Sequence, residues 1–356
     1  MPEANREAPT GRQISSSLQS AGEPISTAEA EEISLVHYGL SGTATKLSGE
    51  KDSNFRLCVK DGREFLLKVV NPGEEPGVTD LHTAALLHVA AADPSLPVQR
   101  IVPSLDGRPD LRLVFPGDGE RAVRMVTFTK GVLQRETIAT VEQLRNVGRT
   151  LARLQLALKD FVHPSADHEL TWDLKQASSL RRLLPAIDKS DRRARLENRL
   201  SRFENDILPT LLQLRSQVVH NDLNSDNVLV DSTNSAEVVG VLDFGDMVRT
   251  AVVADVAVGA AYQLSDGAAP LQSALDFVAG FNSVRPLEDV ELDLFYDLVV
   301  TRMVTRLAIT EWRASLFPEN REYILRNTPR AWTQFDRLCL LSREQATAQI
   351  REACKL

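Results

Sequence analysis

The run Val219-His220-Asn221-Asp222-Leu223-Asn224-Ser225-Asp226-Asn227-Val228-Leu229 is followed, after one turn and one strand, by Leu242-Asp243-Phe244-Gly245-Asp246. One carboxylate stands five residues before an amide, and a second carboxylate follows a β-hairpin later. Strand-like segments surround both motifs. The arrangement reads as a phosphoryl-transfer site. Such chemistry asks little covalent work of a protein: it must align two oxygens and neutralise charge on phosphates. An acid to orient and deprotonate a hydroxyl, with an amide and an acid to hold Mg2+ on a nucleotide, meets that need. A lone Asp-Phe-Gly would be weak evidence; two linked motifs at this spacing are specific.

Residue chemistry then assigns the roles. Asp222 is the expected base. Asn227 offers a hard cation a neutral oxygen and Asp243 a charged one. His220 reads as a packing and hydrogen-bonding anchor for the loop, because Asp222 already fills the base role. Asn224 and Asp226 read as Asx residues satisfying loop backbone groups. Asp246 fits equally a substrate contact and a helix-capping acid.

A nucleotide site also needs a cation upstream. Phe65-Leu66-Leu67-Lys68-Val69-Val70 is an apolar strand interrupted by one lysine. Asn54 to Val59 forms the preceding strand, and Asp61-Gly62 makes the turn between them. Lys68 is therefore expected on the α- and β-phosphates of ATP or GTP. The turn over those phosphates is expected at 47–54, where Ser48, Gly49 and Ser53 offer backbone N–H groups or hydroxyls. A plain polar hairpin loop is the competing reading of that segment.

Residues 1–24 are rich in Ser, Ala, Glu, Pro and Gly without apolar periodicity, and read as a disordered tail. Ser26 precedes Glu29 by a capping-box spacing and opens a helix that Gly39 ends. Strands are expected near 43–47, 54–60, 64–70, 111–115 and 122–128. A helix from Thr79 to Ala91 carries Leu81, Ala85 and Val89 on one face. This makes a five-stranded antiparallel sheet with one inserted helix, spanning 25–128. Residues 125–131 are the expected hinge, where backbone groups from Val126 to Phe128 meet a purine edge. Beyond it, 129–356 is mainly helical, including an Ala/Val-rich helix from Val252 to Tyr262 that its composition buries all round. The whole is an α+β, bilobal, protein-kinase-like architecture.

The chain has 356 residues, enough for two lobes with sizeable cores. A net charge of −8 argues against nucleic-acid or anionic-membrane partners. Cys58, Cys339 and Cys354 show neither metal spacing nor a disulfide framework. No apolar run reaches membrane-spanning length, and no signal-peptide core is visible. A cytoplasmic monomer or homodimer is the expectation. Only a few residues separate Asp246 from the Ala/Val helix, and no Ala-Pro-Glu follows. That leaves no room for a peptide-docking platform and favours a small acceptor.

His220-Asn221-Asp222-Leu223-Asn224 to Asn227, with Asp243-Phe244-Gly245-Asp246-Met247, resembles the aminoglycoside phosphotransferase and choline kinase superfamily. Asp52-Ser53-Asn54-Phe55, Leu67-Lys68-Val69, Trp172-Asp173-Leu174-Lys175 and Leu316-Phe317-Pro318-Glu319-Asn320 bring it closest to hydroxylysine kinase-like members. The resemblance implies Asp222 as base, Asn227 and Asp243 as Mg2+ ligands, and Lys68 on the phosphates. It also places His82 where a helix Glu or Gln would pair with that lysine, a departure from the family pattern.

An amino-alcohol acceptor brings an ammonium group, which asks for carboxylates: Asp246, Asp255 and Glu311 are the candidates. A hydroxylated amino acid such as 5-hydroxylysine adds a carboxylate, which suits a forked donor such as Arg302, with Arg306 one turn on. The competing reading pairs both arginines with acids on neighbouring helices. Trp312 or Tyr323 would stack on an ammonium group. An aminoglycoside or choline/ethanolamine phosphotransferase is the alternative enzyme, and a non-catalytic nucleotide-binding protein the alternative of a different class.

Overall fold

The computed structural model describes residues 22–47 and 52–355. Helix α1 (Thr27–Tyr38) begins at a complete capping box: the Glu29 N–H donates to Ser26 Oγ, and the Glu29 carboxylate accepts from the Ser26 N–H. It ends at Gly39, whose φ of +66° only a residue without Cβ adopts cheaply. Most of the expected tail lies outside the described residues. At its end, the Glu23 N–H donates to the Asp118 carboxylate at 2.9 Å.

The N-terminal sheet has six strands rather than five: β1 (Gly42–Leu47), β2 (Ser53–Val59), β3 (Glu64–Val69), β4 (Ile101–Val102), β5 (Leu111–Phe115) and β6 (Gly119–Thr127). All pairings are antiparallel, with β6 bonded to β3, β4 and β5. The unforeseen β4 has two residues, too few for any periodicity to register. The register sets Lys68 opposite both Asn54 and Arg124. Helix α2 (Pro76–Ala92) starts three residues earlier than its apolar face suggests, because Pro76 occupies the first turn, where a missing N–H costs nothing.

The second lobe holds β7 (Val132–Leu133), β8 (Ser216–Val219), β9 (Val228–Val230), β10 (Val238–Val241) and β11 (Val248–Ala251), as one three-stranded and one two-stranded sheet. Its helices are α3 (Val141–Ala157), α4 (Ser190–Arg202), α5 (Leu208–Leu211), α6 (Val252–Tyr262), α7 (Gln272–Asn282), α8 (Asp289–Leu316), α9 (Arg321–Leu325), α10 (Thr328–Leu338) and α11 (Arg343–Ala353). Trp172-Asp173 leads into a 3₁₀ stretch, Leu174–Ala186, capped by the Asp173 carboxylate. Every residue of α6 from Val252 to Ala261 is buried, as its composition requires.

Two apolar cores form. One fills the space between α1 and the sheet, around Phe55, Leu57, Leu67 and Met125. The larger one is helical, and it includes Leu81, Ala85, Leu86 and Val89 of α2. The N-lobe helix thus packs its apolar face into the C-lobe. Helices α3 and α7 meet at Gly148 and Gly280, where a Cβ would lie 2.0 Å from the Phe277 or the Arg145 carbonyl oxygen.

Candidate active site

The base loop joins β8 to β9, and the second acid loop joins β10 to β11, so both turns leave short strands of the C-lobe. Each contains one strained residue: Asn221 has φ +62° and Asp243 φ +53°. Short polar side chains tolerate that region better than others. The Asn221 N–H donates to Asp255 Oδ1 at 2.7 Å, and Gln155 Nε2 donates to Asp255 Oδ2 at 2.7 Å. Asp255, expected to meet an acceptor, is instead fully buried in α6 and serves as the peg of the base loop. Burial pushes its carboxyl above the usual range, against the bond from Gln155.

His220 locks the two loops together. Its Nδ1 accepts from the Asp222 N–H at 3.3 Å, so Nε2 carries the proton donated to the Leu242 carbonyl at 2.9 Å. Its ring stands edge-on to Phe244, 5.0 Å between centroids. The anchor reading holds.

The Asp222 carboxylate is framed from both sides. Oδ2 accepts from Asn224 Nδ2 and Asn227 Nδ2, each at 2.9 Å. Oδ1 faces Arg302 Nη2 at 3.2 Å. Asn224 thus does more than satisfy backbone, although its Oδ1 does cap the Asp226 N–H at 2.7 Å. Burial and the neighbouring Asp246 push the Asp222 carboxyl up to about 8, while Arg302 draws it back. A carboxyl in that range can take a proton from a hydroxyl and release it again near neutral pH.

A carboxylate only accepts, so the Asn227 amide nitrogen faces Asp222 and its carbonyl oxygen is left for a cation. The Asp243 side chain is 55% exposed, open to a ligand. These two oxygens suit a hard divalent ion. Among the described residues no three His, Cys, Asp or Glu gather, so such an ion would complete its shell from phosphate and water.

Lys68 Nζ lies 2.8 Å from Asp52 Oδ2 and 3.6 Å from Asp243 Oδ1. Burial alone would lower its pKa; Asp52 and then Asp243 outweigh that and hold it above the usual range. The N-lobe cation therefore touches the second acid motif. Its partner is not His82. That ring is buried on α2, its Nε2 has no hydrogen-bond partner among the described residues, and burial with Arg124 and Lys68 holds it well below the usual imidazole range. The neutral His82 gives the ammonium no counter-charge.

Ser48 and Gly49 lie outside the described residues. Ser53 opens β2, half-buried opposite Val69. Val126 is paired on both sides, with Leu66 and Ile101. The N–H groups of Thr127 and Phe128 already donate to the Arg100 and Glu64 carbonyls, at 2.9 and 3.2 Å. As backbone donors to a purine, these hinge residues are spent by the sheet.

On α8, Arg302 reaches the site but is only 1% exposed. It donates to the Trp172 carbonyl at 2.9 Å, to Asp222, and to Tyr262 Oη at 3.4 Å, between the Trp172 and Tyr262 rings. It is therefore an orienting partner of the Asp222 carboxylate, too enclosed to read a substrate. Arg306, half-buried one turn on, lies 5.1 Å from the Tyr262 ring centroid. Glu311, nine residues beyond Arg302, falls on the opposite face of the helix and accepts from Trp332 Nε1 at 3.3 Å. Trp312 packs against the helical core, and Tyr323 is exposed beneath Arg326. None of these three joins the site: Glu311 and Trp312 are held by other partners further along α8, and Tyr323 sits on α9. Asp52 and Tyr262 were not foreseen. Asp52 is legible only within the Asp52-Ser53-Asn54-Phe55 motif of the resemblance, with no role attached, and Tyr262 only as the aromatic closing the buried helix that carries Asp255.

The chain matches the model of the phosphotransferase enzyme family (APH) over residues 43–287. It is 29% identical to mouse hydroxylysine kinase over 345 residues, covering 90% of this chain and 91% of that protein. The Xenopus laevis hydroxylysine kinase is 27% identical over 328 residues, 86% of this chain and 88% of that one. Among solved structures, an amicoumacin kinase in complex with AMP-PNP and Ca2+ superposes with a TM-score of 0.64 at 15% identity, over 84% of this chain and 93% of that one. A microcompartment-associated aminopropanol kinase gives 0.63 at 20% identity, over 91% and 99%. These likenesses establish the bilobal kinase-like fold. With the acid–amide–acid geometry in its cleft and a family match across most of its length, the chain belongs to the phosphotransferase enzyme family.

Proposed function

We propose that this protein transfers the γ-phosphate of ATP or GTP, bound as the Mg2+ complex, to the hydroxyl of an amino alcohol, and that the acceptor is a hydroxylated amino acid of the 5-hydroxylysine kind. The observation that carries the reading is the convergence of Lys68, Asp243, Asn227 and Asp222 between the lobes. The match to hydroxylysine kinases over most of both lengths supports the acceptor class.

Asp222 takes the acceptor hydroxyl proton as the oxygen bonds to the γ-phosphorus. The bond from that phosphorus to the β-bridging oxygen breaks, and the nucleoside diphosphate leaves. Asn224, Asn227 and Arg302 hold the carboxylate in place for this transfer. Lys68 meets the phosphates. Asn227 and Asp243 would hold the metal ion, which would supply charge neutralisation on the phosphate oxygens.

Asp246 lies close enough to Asp222 to push it up. An acceptor ammonium placed between these acids relieves that repulsion, while a neutral alcohol leaves it standing. Arg306, beside Tyr262, is the cation a substrate carboxylate would meet. A polycationic aminoglycoside would meet the same arginine unfavourably, so the amino-acid acceptor fits better.

The test is steady-state kinetics across 5-hydroxylysine, ethanolamine and a neutral alcohol of similar size. We expect 5-hydroxylysine to exceed ethanolamine in kcat/KM, and the neutral alcohol to fall roughly two or more orders of magnitude behind. Arg306→Met should remove the preference for the carboxylate-bearing acceptor. Equal kcat/KM for the two amines would sink the amino-acid version and leave the broader amino-alcohol kinase.

A further inference from the structure

We propose that Asp52, at the mouth of the β1–β2 hairpin, is the positioning residue that holds Lys68 for the nucleotide, in place of any side chain on α2. The inference rests on the reading of Lys68 as the phosphate-binding cation.

Three observations carry it. First, the Asp52 carboxylate is anchored at both ends. Oδ2 lies 2.8 Å from Lys68 Nζ, and Oδ1 accepts the Asn71 N–H at 2.8 Å. Asn71 lies two residues past the end of β3, the strand that carries Lys68. The carboxylate therefore clips the tip of the lysine to the backbone leaving its own strand. Both side chains are 18% exposed, shielded enough for the pair to count.

Second, α2 offers no substitute. His82 is buried close to Lys68, but it carries no negative charge and its Nε2 has no hydrogen-bond partner among the described residues. Helix α2 meets the sheet cations through other residues: its carboxylate, Asp80, is taken by Arg112 of β5. Arg124, opposite Lys68 in the register, donates to Thr83 Oγ1 at 2.9 Å and faces the Thr79 carbonyl at 3.5 Å. Arg124 thus ties α2 to the sheet, while Lys68 turns to Asp52.

Third, the other acid near Lys68 has separate work. Asp243 lies at 3.6 Å and is the expected metal ligand. When Asp243 turns to a cation, Asp52 is the carboxylate that stays with the lysine. The position of Lys68 is in this way built into the β2–β3 ribbon and does not depend on where α2 lies.

The experiment measures the affinity of a non-hydrolysable ATP analogue with Mg2+ by calorimetry, together with KM for nucleotide and for acceptor. Asp52→Asn should weaken nucleotide binding about tenfold to a hundredfold, the size of a lost charge-assisted contact, and leave the acceptor KM within about twofold. Asp52→Glu should recover most of the loss. His82→Glu in the Asp52→Asn background should recover part of it by returning a carboxylate to α2. Nucleotide binding unchanged or tightened in Asp52→Asn would overturn the proposal, the second because Asp52 would then be a competitor of the phosphates. An equal rise in both KM values would also overturn it, as general damage. A double-mutant cycle decides the matter even if Asp52→Asn folds poorly. In a Lys68→Met background, Asp52→Ala, which removes the carboxylate, should change nucleotide affinity no further, and a further change counts against the clip. Failure of the underlying reading is separately visible: Lys68→Met would then leave nucleotide affinity intact.

Discussion

Asp222, as the proposed base, answers two opposed demands. It must be ionised to accept a proton, yet burial and the neighbouring Asp246 favour its neutral form, with Arg302 opposing them. The folded protein therefore binds a proton more tightly here than the unfolded chain does. The sign follows from linkage: a raised folded pKa gives stability that is complete below the ordinary value of 3.8 and is lost as pH rises towards about 8. Asp222→Asn should therefore be more thermostable relative to wild type at pH 8 than at pH 5, and thermal melts at the two values check this. The same substitution should lower kcat by about two to four orders of magnitude with nucleotide affinity nearly intact. Wild-type turnover by Asp222→Asn would remove it as the base. Asp243 belongs at this scale too. Asp243→Ala should abolish the Mg2+-dependent part of nucleotide binding, read by titration with and without a chelator. Unchanged affinity for the Mg2+ complex would take Asp243 out of the metal shell.

At the scale of elements, function depends on how closely helices approach. Asp255 sits one turn into α6 and pins the base loop through the Asn221 N–H, so the helix fixes the loop from beneath. Gln155, near the end of α3, completes that contact, so the position of α3 is felt at the base. Helix α3 is set in turn by its crossing with α7, where Gly148 and Gly280 let backbone touch backbone. A methyl group at either site would lie 2.0 Å from a carbonyl oxygen. Backbone cannot step aside as a flexible side chain can. Gly148→Ala or Gly280→Ala should destabilise by about 3 kcal/mol or more and lower the melting temperature accordingly, measured by calorimetry. A melting point within experimental error of wild type would show that the helices separate at little cost.

For the whole molecule, the apolar face of α2 lies in the core of the C-lobe, so the two lobes share a hydrophobic layer across the cleft. Heating should unfold them in one transition. An ATP analogue with Mg2+ at a hundred times its dissociation constant should raise the stability of that single transition by about 2.7 kcal/mol. Two resolved transitions, with only the earlier one moved by nucleotide, would show the lobes to be uncoupled. Much of this organisation is readable without coordinates. The capping box at Ser26, the hairpin at Asp61-Gly62, the buried Val252–Tyr262 helix and the positions of the five longer strands up to Phe128 all follow from local pattern. Strand β4 does not, because two residues carry no period.

The sequence by itself determined what is written contiguously. Asp222, Asn227 and Asp243 lie within two turns linked by one hairpin, and Lys68 lies within one strand, so spacing along the chain specifies their type and order. Tertiary structure decided which distant side chains meet them. Arg302 could have read a substrate; the phase of α8 presses it onto Asp222 between two aromatic rings. Asp255 could have faced an acceptor; the burial of α6 turns it to the Asn221 N–H. Glu311 and Trp312 share the helix with Arg302 and look elsewhere. His82 on α2 brings Lys68 no counter-charge, and the hairpin brings Asp52 to it instead. The physical reason is the same in each case. Local propensity sets an element's type and its apolar face, but the rotation and register with which elements pack choose the partner of each buried charge, and no short-range pattern in the chain encodes that choice.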